Sequence, residues 1–230
     1  MRYERKSITE GVSEYLKDHQ HTKGIIVSES RNFIYMKPAK TAGTTILRKI
    51  FESKVPDIIH QKDNPKKFQK WMCTLSDDQL KNYFVFSVTR NPWDRVVSIC
   101  SHFNIKVKRF VKNFDNIRQN NEDIKNHSIP VNRYTHVNGK RFADFICRFE
   151  TLQSDMNVVM DKIGLQRVKL PVTNKSSRGE YQNYFSDSLA KETSRIYSKD
   201  IHHFGYMFGR DKREYGIIER MTGKISKVIK

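Results

Sequence analysis

The sequence predicts an α/β fold in which helices flank a central, mainly parallel sheet. Two short runs of apolar, β-prone residues, 33–36 and 83–89, have the length and composition of buried strands. Each is followed by a tight polar turn and then by a segment whose apolar residues recur at helical spacing, 46–51 after the first run and 93–107 after the second. Strands that alternate with helices in this way are typical of a parallel sheet covered by helices.

Weaker signals complete the outline. We expect further strands at 55–60 and 142–149, and helices over 64–81 in two pieces, 152–163 and 186–201. Gly164 and Ser186 support two of these bounds, because glycine commonly follows the end of a helix and serine commonly caps its start. Residues 112–140 are rich in Asn, Lys and charge, and we expect them to form loops or an insertion over the core.

The length of 230 residues suits one domain with a substantial core better than it suits two. We expect a single domain over 1–230. Within it, 1–30 is a polar N-terminal extension with a helix at 9–18, 104–140 is an insertion, and 209–230 is a basic tail.

Charge and cysteine content narrow the class of protein. Lys and Arg total 43 against 25 Asp and Glu, and the net charge of +18 favours anionic partners: nucleotides, nucleic acid, acidic polysaccharide or a membrane surface. The three cysteines are scattered, lack the spacing of a zinc site and fit a reducing compartment. No stretch is long and apolar enough to span a membrane, and the start lacks a signal-peptide core, so we expect a soluble cytoplasmic protein.

The first candidate site follows the strand at 33–36 and reads Lys37-Pro38-Ala39-Lys40-Thr41-Ala42-Gly43-Thr44-Thr45. A strand, a tight loop and a helix in this order form an anion cradle, because the first N–H groups of a helix have no partner within it and the helix dipole is positive there. Gly43 would let the backbone approach the anion closely. Thr44 and Thr45 could donate hydroxyl hydrogen bonds, and Lys40 could neutralise charge. The alternative is a plain connection with surface lysines.

This loop is P-loop-like without being a Walker A loop, in which glycine is followed directly by lysine and then by Ser or Thr. Here Lys40 precedes Gly43, and the strand at 83–89 ends in Arg90 rather than in a metal-binding Asp. A metal-dependent NTPase is therefore disfavoured, and we expect no requirement for a metal ion.

The second candidate site follows the second strand and reads Arg90-Asn91-Pro92-Trp93-Asp94-Arg95-Val96-Val97-Ser98. Arg90 stands at the carboxyl end of the strand, where open α/β sheets bind their ligands. Ser98 lies off the apolar stripe of the following helix, so an arginine fork and a hydroxyl could together hold a phosphate. We expect Asp94 and Arg95 to form a structural ion pair, and Trp93 to pack in the core rather than against an adenine ring.

Together the two motifs resemble those of the sulfotransferase superfamily. They are most similar to its carbohydrate branch, the Golgi-type family 2, and to the soluble bacterial and viral relatives of that branch. The resemblance continues in order through 143–150, 170–177 and 197–206. Five segments in register make it specific, although the region 104–140 matches only loosely.

The resemblance implies a donor, an acceptor and a set of contact residues. The donor would be 3′-phosphoadenosine 5′-phosphosulfate (PAPS), leaving as adenosine 3′,5′-bisphosphate (PAP). The acceptor would be a hydroxyl of a carbohydrate-like molecule, which the net charge suggests is acidic, and the insertion would shape its cleft. The 5′-phosphosulfate would be held by Lys37, Lys40, Thr41, Ala42, Gly43, Thr44 and Thr45, the 3′-phosphate by Arg90 and Ser98, with further contacts from Lys175 and Ser176.

The expected reaction is an in-line displacement at sulfur, in which Lys40 stabilises the departing phosphate oxygen and a general base takes the proton of the acceptor hydroxyl. His60, at the end of a predicted strand, is the first candidate base, because histidine titrates near neutral pH and related carbohydrate sulfotransferases often place one there. His102, one helical turn beyond the second motif, is the second candidate. His127 and His136 lie in the insertion and could contact the acceptor instead.

Two alternatives from other classes stay open: a small-molecule kinase with an atypical loop, and a basic nucleic-acid-binding protein. Against the latter, the lysines are spread along the whole chain and no nucleic-acid-binding motif is present. We expect a glycan-like acceptor, no specific nucleic acid and no membrane span. The acceptor's identity and the oligomeric state stay open.

Overall fold

A central sheet organises the fold in the computed structural model, which describes Val12 and residues 24–74, 76–171 and 179–209. Its strands are β1 (Ile25–Ser28), β2 (Phe33–Met36), β3 (Ile59–His60), β4 (Phe84–Thr89) and β7 (Phe145–Arg148), while β5 (His136–Val137) and β6 (Lys140–Arg141) form a separate antiparallel pair. The order across the sheet is β3-β1-β2-β4-β7. Strand β4 is parallel to β2 and β7, whereas β1 is antiparallel to β2 and β3. The predicted α/β class with a mainly parallel sheet is therefore confirmed.

Helices follow and cover the strands. They are α1 (Gly43–Ile46), which continues through a π-helical turn (Leu47–Phe51) into α2 (Glu52–Lys54), then α3 (Pro65–Thr74), α4 (Asp77–Leu80), α5 (Pro92–His102), α6 (Val107–Lys112), α7 (Phe114–Asn120), α8 (Glu122–His127), α9 (Leu152–Lys162), α10 (Asp187–Ile196) and α11 (Ser198–Phe204). Short 3-10 turns lie at Val131–Tyr134, Phe149–Thr151 and Tyr181–Tyr184.

Each face of the sheet has its own core, because successive side chains of a strand point to opposite faces. On one face Ile34 and Val85 pack with apolar residues of α3, α5, α6 and α10. On the other face Tyr35 and Phe86 stack with their ring centroids 4.7 Å apart, against residues of α1, the π-helical turn and α9. The loops that follow β2 and β4 therefore start from strands that are covered by helices on both faces.

The structure corrects several expected element bounds. Residues 25–28, assigned to the N-terminal extension, form the fully buried strand β1 between β3 and β2. The strands expected at 55–60 and 142–149 are shorter, and 112–140 contains helices α7 and α8 rather than loops alone. Residues 1–11 and 13–23, which carry most of the helix expected at 9–18, and the tail beyond 209 lie outside the described residues.

The helix expected at 186–201 is divided in two at Tyr197. Ser186 caps α10 as predicted, its hydroxyl accepting from the N–H of Leu189 at 3.4 Å. Tyr197 leaves the helical conformation, with φ −108° and ψ 28°. Its buried hydroxyl donates to the carbonyl of Ser128 at 3.1 Å, so the break brings α10 and α11 against the segment that follows α8.

A stability prediction follows from His136, which stacks on His203 with ring centroids 4.1 Å apart. Burial lowers the pKa of His136 from 6.5 to about 3, helped by the charges of His203 and Arg141. Below pH 6.5 the imidazole of His136 therefore binds a proton in the unfolded chain but stays neutral in the folded state. Stability falls as the pH drops from 6.5 towards 3. We expect a loss of about 2 kcal/mol at pH 5 from this group.

Urea unfolding at pH 7 and pH 5 checks this. The difference in the free energy of unfolding between pH 7 and pH 5 should be smaller in His136→Asn, because no imidazole can titrate at this position. It should persist in His202→Asn, which changes an exposed histidine of α11. An unchanged pH dependence in His136→Asn would contradict the assignment.

Candidate active site

The loop after β2, residues 37–45, has a strained backbone. Lys40 and Ala42, both of which carry a side chain, adopt left-handed conformations with φ 65°. Each such residue costs roughly 1–3 kcal/mol and persists only where its surroundings impose it, which is common at ligand sites. Left-handed residues in a tight turn also direct successive backbone N–H groups into one concavity, the arrangement found in anion-binding loops.

Two arginines hold this loop from one side. Arg90 Nη1 donates to the carbonyl of Lys40 at 2.9 Å, and Arg95 Nε donates to the carbonyl of Ala39 at 3.0 Å. The C=O and N–H of a trans peptide point in opposite directions, and the described residues contain no cis peptide. The N–H groups of Lys40 and Thr41 therefore point away from the two guanidinium groups.

The remaining loop residues have different roles. Thr41 is buried, and its hydroxyl donates to the carbonyl of Pro38 at 2.9 Å, which closes the turn. A Cβ on Gly43 would lie 2.6 Å from Cγ of Lys37, so glycine is needed here because the lysine stem crosses it. Thr44 at the helix start is exposed. The group that comes close to the backbone of Gly43 in this structure is thus the side chain of Lys37.

Arg90 joins the two predicted motifs. Besides the carbonyl of Lys40, it bonds Asp94 through Nε at 2.7 Å, and its guanidinium carbon lies 4.0 Å from the ring centroid of Phe149. Its side chain is 8% exposed, so the charge lies at the surface of a cleft rather than in bulk water. Asp94 pairs with Arg90, and the ion pair expected between Asp94 and Arg95 is wrong.

The second motif follows the start of α5. Asn91 caps this helix, its side-chain oxygen accepting from the N–H groups of Trp93 and Asp94 at 3.1 and 3.3 Å. Pro92 at the first helical position needs no hydrogen-bond partner. Trp93 packs in the core as expected, 2% exposed, and Ser98 is half-buried one turn beyond Asp94. Asp94 and Ser98 therefore share a helix face.

Buried Arg95 links the loop to the insertion. It is 1% exposed, and Nη2 donates to the carbonyls of His127 at 3.0 Å and Ile129 at 2.7 Å. Nothing in the sequence around Arg95 indicates carbonyl partners so far along the chain. The insertion thus lies directly beside the loop after β2.

Two histidines lie near Lys40. His102 and His127 stack with ring centroids 5.2 Å apart. Burial lowers the pKa of His102, and the charge of Lys40 lowers it further. Burial also lowers the pKa of His127, and the charges of His102 and Lys40 lower it further. Both imidazoles are therefore held neutral at pH 7, the form that can accept a proton. The sequence offered His127 only as a residue that could contact the acceptor.

His60 ends β3 at the same edge of the sheet. Ile26 of β1 pairs with Tyr35 on one side and with His60 on the other, so His60 lies level with Tyr35 and on the same face, about 10 Å away at Cα. Nδ1 of His60 contacts the carboxylate of Asp63, and that hydrogen bond lowers the pKa of Asp63. A histidine oriented by a carboxylate is the arrangement of many general bases. The sequence analysis missed Asp63, although its position three residues after His60 was a usable signal.

Other predicted residues fall elsewhere. His136 contacts Thr135 and His203, away from the partners of Lys40 described above. Lys175 and Ser176 lie outside the described residues. Glu150, which the sequence offered as a substitute carboxylate base or as a structural partner of Arg148, accepts the N–H of Asn91 at 2.6 Å and the hydroxyl of Tyr206 at 3.0 Å, and burial raises its pKa.

This fold and site define an α/β protein whose strained loop and arginine lie at the carboxyl ends of two adjacent parallel strands, where such sheets bind ligands. The chain belongs to the sulfotransferase family, whose family model matches residues 23–207. It is also 34% identical over 95 residues to an uncharacterized protein of Archaeoglobus fulgidus, covering 36% of this chain and 69% of the relative. No solved structure matches the chain. The predicted family is confirmed, and it supports sulfuryl transfer as the class of reaction.

The family match does not favour the kinase or the nucleic-acid-binding alternative. Within the part of the chain that the structure describes, no helix combines the length and apolar character that crossing a membrane requires.

Arg95 gives a prediction for stability. Replacing it with Gln removes the donors to three carbonyls and leaves buried polar groups unsatisfied, so the free energy of unfolding should fall by at least about 3 kcal/mol. Urea unfolding measures this. Arg167→Gln is the matched control, because Arg167 bonds Asp161 on the exposed surface and should leave the unfolding midpoint nearly unchanged. Equal effects of the two changes would contradict the role of Arg95.

Proposed function

We propose that the protein transfers a sulfuryl group from PAPS to a hydroxyl of a carbohydrate-like acceptor. The observation that carries this proposal is the loop after β2, in which Lys40 and Ala42 are left-handed while Arg90 and Arg95 hold the carbonyls of Lys40 and Ala39. The loop N–H groups on the other side suit a 5′-phosphosulfate. Membership of the sulfotransferase family supports the same reaction class.

Each end of the donor has candidate contacts at one edge of the sheet. Lys37, Lys40, Thr44 and Thr45 belong to the loop, and Gly43 leaves room for Lys37 to pass over the helix start. Arg90 and Ser98 follow the neighbouring strand, and Arg90 still has Nη2 to offer, since its bonds within the described residues use Nε and Nη1. A planar guanidinium beside a hydroxyl suits a 3′-phosphate.

The chemistry needs charge stabilisation and one proton acceptor. Lys40 would stabilise the negative charge that develops on the oxygen between phosphorus and sulfur as the bond to sulfur breaks. His60, oriented by Asp63, is the first candidate to take the proton of the attacking hydroxyl, and His102 beside Lys40 is the second. The donor PAPS itself supplies the activated sulfuryl group.

Donor binding tests the proposal directly. Lys40→Ala keeps the carbonyl that accepts from Arg90 and removes the side chain beyond Cβ with its ammonium group, so turnover should be abolished and PAP affinity weakened. Arg90→Ala removes a charged hydrogen bond to the 3′-phosphate, and PAP affinity should fall about 10- to 100-fold. Isothermal titration with PAP measures the affinity of both variants, and sulfuryl transfer from PAPS measures turnover. The matched control is Lys49→Ala, which changes an exposed lysine of the π-helical turn.

The same titration separates this function from a kinase. Tight binding of ATP with magnesium and no binding of PAP by the wild-type chain would refute sulfuryl transfer from PAPS. Equal PAP affinity in all variants would show that neither Lys40 nor Arg90 contacts the donor.

The general base is tested by kinetics. If His60 takes the proton, His60→Ala should lower kcat by about 10²- to 10⁴-fold and spare PAP affinity, and the acidic limb of the pH profile should disappear. His102→Ala is measured in parallel; if His102 is the base instead, that limb lies below pH 6.5, because burial and Lys40 lower its pKa. Unchanged kcat in both variants would exclude both histidines.

A further inference from the structure

A basic cavity lies beside the segment that Arg95 holds, since Ile129, whose carbonyl accepts from Arg95, lines it. It has a volume of about 440 Å³ and is formed by α7, α8, the segment 129–133 and the junction of α10 and α11. Every charged residue that lines it is a cation: Arg118, Lys125, Arg133 and Lys199. The carboxylate of Asp200, behind the wall, is buried and accepts the N–H groups of Val131 and Asn132 at 2.8 and 2.7 Å.

Two residues that line this cavity carry polar atoms without partners within the described chain. Nε of Arg118 and Oδ1 of Asn132 are buried and have no hydrogen bond there. Such atoms are costly to bury unless a ligand or water satisfies them. One is a charged donor, which an anionic acceptor suits best, and the other is a neutral acceptor, which a donor such as a hydroxyl would satisfy.

Arg118, Lys125 and Lys199 form few contacts within the described part of the protein. The guanidinium carbon of Arg118 lies 5.0 Å from the ring centroid of Phe114, a contact that leaves its N–H groups available. Lys125 forms an exposed pair with Glu122 at 3.2 Å, which contributes little to stability. Lys199 is exposed and forms no ion pair within the described residues. Their charges therefore remain available to an anion.

The cavity is also close to the candidate active site. Arg95 donates to Ala39 of the loop and, through the same guanidinium, to Ile129, which lines the cavity. Asn126 lines the cavity, and the next residue, His127, is near enough to Lys40 for that charge to lower its pKa. The loop and the cavity are thus separated by one arginine side chain.

We propose that this cavity binds an anionic sugar unit of the acceptor, with Arg118 and Lys199 contacting its sulfate or carboxylate and Asn132 accepting from a hydroxyl. The proposal rests on the proposed function, since it assigns the cavity to that acceptor. A neighbouring sugar held here would position the chain whose hydroxyl reacts beside Lys40. The volume is of the size that accommodates small-molecule ligands.

The experiment is isothermal titration of the full chain, saturated with PAP, with a heparin-derived hexasaccharide at physiological salt. The double variant Arg118→Gln/Lys199→Gln should bind it at least about tenfold more weakly, since two charged contacts to the oligosaccharide are lost. Lys140→Gln/Lys191→Gln is the matched control: it removes the same charge from two exposed lysines outside the cavity and should change the affinity less than about twofold.

PAP affinity, measured separately, should be equal in all three proteins. Equal weakening in the two double variants would mean that net charge alone binds the oligosaccharide, and no weakening in either would place its site elsewhere; both results overturn the proposal. Selective loss of short duplex DNA binding in Arg118→Gln/Lys199→Gln, with hexasaccharide binding intact, would also overturn it. Failure of the wild-type chain to bind PAP would instead refute the proposed function.

Discussion

The guanidinium of Arg95 is the interaction on which the geometry of this edge of the sheet depends. It stands near the start of α5 and donates to carbonyls of Ala39, His127 and Ile129, from two segments that are distant in sequence. Nε and Nη2 are used in this way, whereas the buried Nη1 has no hydrogen bond within the described residues, so the charge of Arg95 needs a negative charge nearby to balance it. The balance comes from Asp200, whose pKa burial raises to about 6 while the charge of Arg95 opposes that rise. The loop, the insertion and α11 are therefore placed relative to one another by a single side chain.

Strain in the loop and the position of the two arginines are parts of one arrangement. Lys40 and Ala42 could relax to ordinary conformations if the loop were held at its ends alone. Arg90 and Arg95 instead engage the carbonyls of consecutive residues, so rotating either peptide would break a charge-assisted hydrogen bond. Because the carbonyls are held on that side, the N–H groups stay directed to the other, and the loop is organised for an anion before any anion binds. This pre-organisation lowers the ordering that binding would otherwise require.

The sequence predicted what depends on local pattern and missed what depends on distant partners. Phe33–Met36 and Phe84–Thr89 were predictable because each is a compact apolar run that ends in a motif. Ile25–Ser28 was not, because four apolar and small residues next to a polar stretch give little periodicity, and their burial comes only from pairing on both edges. Asp94 was assigned to its neighbour Arg95, yet successive residues of a helix do not face each other, and Asp94 instead meets Arg90 one turn back.

The two candidate bases differ in what surrounds them once they have accepted a proton. A general base must become an imidazolium, so a nearby carboxylate favours the reaction and a nearby ammonium opposes it. His60 contacts the carboxylate of Asp63, whereas the exposed His102 and the half-buried His127 lie close enough to Lys40 for its charge to lower the pKa of both. The electrostatics therefore favour His60 as the group that takes the proton. The neutral His102–His127 pair is better suited to hydrogen-bonding an uncharged hydroxyl, and it lies near Lys40, with His127 next in sequence to Asn126 of the basic cavity.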